Sequence, residues 1–171
     1  MRPEATPEER FTGWYVRPIE KLKELPEGDG AFAALMIALP LYERLIKARL
    51  KVAGKPTGDE DVASAVSDDL GLQGSDRSIF WSAFRIGFMH QGMGKAGPTP
   101  WVVSGAFGAV PEFREINGIR CVCIDPWKFA DRVLGAFLAA PSLITASDSF
   151  PLAAVRAFPT DAVSSPLRET S

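Results

Sequence analysis

The sequence predicts a mainly α-helical fold: a bundle of about five helices, with a small antiparallel β-hairpin or sheet inserted before the last long helix. Three observations predict it. Several stretches carry apolar residues at helical spacing, bounded by Pro, Gly or Asp. One of them, 31–41 (AFAALMIALPL), is apolar nearly all round, as the central helix of a bundle must be. Between 101 and 125 the pattern switches to strands, with Asn117-Gly118 separating two apolar-alternating runs, the strongest short-range hairpin signal.

The first helix is expected over about 12–25, where Trp14, Ile19, Leu22 and Leu25 recur and Pro18 starts or kinks it. PEGDG (26–30) is a turn, with Asp29 placed to cap the next helix. That second helix should run from about Gly30 to Val52, kinked at Pro40. Its second half is amphipathic, with Arg44, Lys47 and Lys51 on one face, and Gly54 and Pro56 close it. A third helix, about Asp59 to Leu70, starts acidic, as the helix dipole favours. A fourth, about Asp76 to Gln91, is capped by Ser75 or Asp76, is dense in aromatic residues and stops at Gly92 and Gly94. Strands are expected at 101–107 and 113–125. Asp125-Pro126 then starts a fifth helix over 126–140, with Phe129, Val133 and Phe137 on one stripe. A last apolar stretch, 150–158 (FPLAAVRAF), reads as a short helix or a docking segment. One helical domain, 11–158, is expected between polar tails at 1–10 and 159–171.

The 171 residues, 46% hydrophobic and 23% charged, can bury a core without a disulfide or metal staple. A net charge of −2 supplies no global basic field, so any nucleic-acid contact must come from a local patch. There is no signal-peptide pattern, and the most apolar stretch is too short to span a membrane. Cys121 and Cys123 stand one residue apart, too close for an ordinary structural disulfide. These features predict a cytoplasmic protein with no membrane contact.

Most catalytic patterns fail on the residues present. His90 is the only histidine, and with Cys121 and Cys123 it makes no recognised ligand spacing, so no metal and no cofactor is expected. A phosphate loop at Gly92-Met93-Gly94-Lys95 would need glycine at Met89 and Ser or Thr at Ala96. There is no G-x-S-x-G elbow for a serine hydrolase. What remains is Arg85 and His90 in an aromatic helix with Phe80, Trp81, Phe84, Phe88 and Met89. Both are costly to bury unless paired or used. Five residues of separation turns them about 140° apart on an ideal helix. A shared site therefore needs a groove between helices or a second copy of the helix across a two-fold axis. Arginine grips a phosphate in a bidentate way, and histidine moves a proton to or from a ribose 2′-OH or a leaving 5′-oxygen. With the 2′-OH as nucleophile, no metal is needed. Arg44, Lys47, Lys51 and Lys95 are candidate RNA-backbone contacts, and Trp101 a candidate base-stacking residue. The plainer reading pairs Arg85 with an acid, bonds His90 to a carbonyl and leaves the basic face simply solvated.

Arg-x4-His on a late helix of a helical bundle, here in FRIGFMHQG and followed by a strand insertion and then DPWKFAD, resembles the HEPN superfamily over about residues 14–140. The resemblance implies a homodimeric, metal-independent endoribonuclease, with Arg85 as phosphate clamp and His90 as general acid or base. It also implies a role in toxin–antitoxin or phage-defence systems, with an antitoxin or other protein as partner. Ile86 departs from active members, where the residue after the arginine is often polar. The rival expectation is a non-catalytic module that dimerises or binds a partner through Phe84, Phe88 and Met89; the low pI and Ile86 favour it.

Overall fold

The structure, a computed structural model, describes residues 5–84, 95–96 and 99–145. Within these the chain is mainly helical, with a small mixed β-sheet. Helix formation begins at α1 (Pro7–Phe11), inside the stretch that reads as a polar tail. The reason is local: Thr6 and Glu9 form a reciprocal capping box, with Thr6 N–H donating to Glu9 Oε2 at 2.8 Å. Thr12–Val16 is a widened π-helical turn, leading into α2 (Arg17–Lys23). The cause is Pro18, which has no N–H and whose ring crowds the preceding turn; the Arg17 N–H reaches back five residues to Thr12 O.

Gly30 opens α3 (Gly30–Val52) against α2, where there is no room for a side chain: an added Cβ would stand 2.3 Å from Leu22 O. Asp29 occupies the cap position but makes no side-chain cap bond, contrary to expectation. The helix runs through Pro40 in one piece. It ends in a Schellman turn, Lys55 N–H to Leu50 O and Gly54 N–H to Lys51 O, with Gly54 at φ +67°.

Next come α4 (Asp59–Asp69), acidic in its first turn, and α5 (Ser75–Ser82), whose backbone stays helical through Phe84. The cap of α5 is Gly74; Asp76, expected to cap, pairs instead with Arg120. The sheet holds β1 (Lys95–Ala96), β2 (Thr99–Val103), β3 (Glu112–Ile116) and β4 (Ile119–Ile124), in the order β1-β2-β4-β3. The predicted hairpin is β3–β4, with Asn117 and Gly118 at φ 54° and 76°, as a tight hairpin turn requires. The sheet is mixed rather than antiparallel, because β2 lies parallel to β4 with Trp101 opposite Val122. The intervening 104–111 loop lets β3 take the edge and leaves β4 central. Cys121 to Ile124 are therefore all buried. α6 (Pro126–Ala139) and the short α7 (Ser142–Thr145) complete the described chain. The expected helix at 150–158 lies outside the described residues.

The core forms mainly between α3 and α6. Tyr42 meets Phe129 edge-on at 5.4 Å, and Phe11 of α1 packs on Phe137 at 5.1 Å. Asp125 caps α6 by accepting from Trp127 and Lys128 N–H, and the Lys128 ammonium holds Gly105 O and Phe107 O at 2.9 Å each. The DPWK stretch thus starts a helix and clips down the 104–111 loop. Among the described residues, no helix is long and apolar enough to cross a membrane.

Candidate functional site

Arg85 and His90, the sequence-predicted catalytic pair, lie outside the described residues, as do Phe88 and Met89. The approach to them is described. Phe80 and Phe84 are fully buried and stack at 5.8 Å with their planes 6° apart. Trp81 leans on Phe84 at 5.7 Å, and Trp101 of β2 sits 5.9 Å from Phe80. Phe80 and Phe84 of the expected aromatic wall are therefore part of the protomer's own core, and Trp81 packs beside them.

The basic face of α3 divides. Arg44 and Lys51 are exposed, but the Lys47 ammonium is 2.6 Å from the carboxylate of Glu43, which is 5% exposed. Lys47 neutralises that buried acid, so a phosphate would have to displace Glu43 to use it. Of Lys95, only the backbone in β1 is described. Trp101 is half-buried and packs against the core, with its ring 5.9 Å from Phe80 and tilted by 53°. Cys121 and Cys123 are both buried, and burial pushes the Cys123 thiol up from its ordinary value. Among the described residues, no three His, Cys, Asp or Glu side chains are grouped to hold a metal ion.

The densest polar cluster among the described residues was not anticipated. Asp69, at the end of α4, accepts from Tyr42 Oη at 2.7 Å, Arg132 Nη2 at 2.8 Å and Arg49 Nη1 at 3.0 Å. One carboxylate thus joins α3, α4 and α6. Burial, and then the hydrogen bond to Asp69, push the Tyr42 phenol far above its ordinary range. The sequence holds a faint signal: Asp68 and Asp69 close a helix, where the dipole disfavours acids, so they call for cationic partners from elsewhere. Asp68 finds Arg77. Beside Asp69, a groove of about 260 Å³ opens between the end of α3 and α4. Compared with known proteins, the chain matches no family model, no curated protein and no solved structure.

Proposed function

We propose that this chain is a metal-independent endoribonuclease of HEPN type, built on a bundle of about five helices and acting as a cytoplasmic homodimer. The reading rests on Arg85 coming directly after the anchored Phe80–Phe84 stretch, with His90 five residues beyond it in the sequence. In this reading Arg85 clamps the scissile phosphate and takes up the charge that grows on it. The ribose 2′-OH attacks phosphorus and expels the 5′-oxygen, and His90 supplies or removes the proton. Arg44 and Lys51 are exposed on α3 and remain candidate backbone contacts. Lys47 is engaged by Glu43, and Lys95 is assigned from sequence alone. A toxin or phage-defence role, with an antitoxin as partner, belongs to the same reading.

One observation weighs against the rival interaction module. Phe84, which that reading places at a partner surface, is fully buried within the protomer. The test is RNA cleavage by purified wild type and His90→Ala, with and without a chelator, alongside molecular mass in solution. Loss of a general acid–base group should slow cleavage by about 10²–10⁴-fold while leaving folding intact. Undiminished cleavage by folded His90→Ala refutes the assignment.

A further inference from the structure

The groove at the end of α3 is independent of the nuclease reading, and its chemistry is specific. Ile46, Leu50 and Ala65 give it an aliphatic floor, and Arg49, Lys55 and Asp69 stand at its walls. The charges do not cancel. Asp69 carries one negative charge, already shared between Arg49 and Arg132. Arg49 spends a single N–H on it, at 3.0 Å, and its side chain remains 45% exposed. Lys55 is exposed and, among the described residues, forms no ion pair. The Schellman turn fixes the Lys55 backbone and occupies the carbonyls of Leu50 and Lys51. That takes up much of the negative end of α3, which would otherwise oppose an anion. The adjoining recess, about 200 Å³, shares Lys55 but is lined by Asp61 and Asp68. An anion is therefore directed to the Arg49 side.

We propose that this groove binds a small organic anion, a carboxylate or phosphate monoester on a short aliphatic body, held between Arg49 and Lys55 over Leu50 and Ala65. A space of about 260 Å³ lies just under the usual range for drug-sized ligands, so it suits a small metabolite rather than a nucleotide.

The test is amide chemical-shift titration of the full chain with n-butyl phosphate, butyrate, inorganic phosphate and n-butylamine. Saturable shifts at Ala53, Gly54 and Lys55 are expected with the first two, and which of them binds tighter identifies the anion. Inorganic phosphate, without the apolar body, should bind more weakly, and n-butylamine should not bind. Lys55→Glu, at an exposed position, should weaken binding about tenfold or more by turning a near attraction into repulsion; Lys55→Gln, the milder variant, should fall between. Absence of saturable shifts with both organic anions, equal binding of n-butylamine, or unchanged affinity in Lys55→Glu overturns the proposal.

Discussion

Replacing Asp69 tests whether the three-helix junction carries a substantial part of the stability. Asp69→Ala removes three acceptor contacts at once, and they are unequal. Tyr42 is 1% exposed, so its hydroxyl would lose its partner away from water, at a cost of about 1–3 kcal/mol. Arg132 is 30% exposed and loses about 1 kcal/mol of pairing; Arg49, at 45%, loses little that water does not replace. The sum is about 3 kcal/mol. Asp69→Asn keeps an acceptor for Tyr42 and gives up mainly the charge, so about 1–2 kcal/mol is expected. For a chain of this size 3 kcal/mol corresponds to a fall in Tm of roughly 6–12 °C. Urea denaturation at pH 7 measures both variants, with m unchanged if two-state behaviour holds. A loss below about 1 kcal/mol for Asp69→Ala, or equal losses for Ala and Asn, would show that water satisfies Tyr42 without the carboxylate.

The same structure sets three further outcomes. Gly30→Ala places a Cβ against the Leu22 carbonyl and should cost about 1–3 kcal/mol in urea denaturation; a neutral result means α2 can move aside freely. The raised Tyr42 phenol gives stability that is complete below the unfolded value of 10.0 and is lost as pH rises above it, because the unfolded chain then releases a proton that the folded chain keeps. The fall, at most about 1.4 kcal/mol per pH unit, should be missing in Tyr42→Phe, leaving the earlier loss above pH 9.0 from Cys123; parallel curves for the two proteins refute the assignment. If Arg44 and Lys51 contact an RNA backbone, Arg44→Ala and Lys51→Ala should each flatten the slope of log binding constant against log salt by about 0.7, and a slope unchanged in both removes them from the interface.

Helix existence was legible where the apolar spacing was long and bounded. The third and fifth predicted helices, 59–70 and 126–140, match α4 and α6 to within a residue at their ends. Asp125-Pro126 worked because cap and first-turn chemistry are local, and Asn117-Gly118 because a tight hairpin turn selects those residues. What failed depended on distant partners. The parallel pairing of β2 with β4 is set by the 104–111 loop, whose first half reads in sequence as a continuation of the strand at 101–107. Asp76 looks like a cap until Arg120, 44 residues on, takes it. Trp101 is a candidate base-stacking residue in the sequence, and only the fold shows it half-buried beside Phe80. The tail-like PEERF segment became helix through one capping box, a signal short enough to be overlooked in polar sequence.

Charge spacing along one helix was the least reliable guide to the candidate site. Arg44, Lys47 and Lys51 share a face by spacing, yet what each can do depends on the environment of its neighbours. Glu43 is buried against the core and holds Lys47, so a residue that looks like a ligand contact serves first as a counter-ion. Arg49 and Lys55 show the converse. Arg49 lies off the stripe of the other cations and Lys55 lies past the end of α3, yet the Schellman turn and Asp69 bring them to one groove with most of their donors uncommitted. A cation's capacity to bind is thus set by whether the fold has already supplied its acid. That quantity depends on tertiary contacts, and helical periodicity does not contain it.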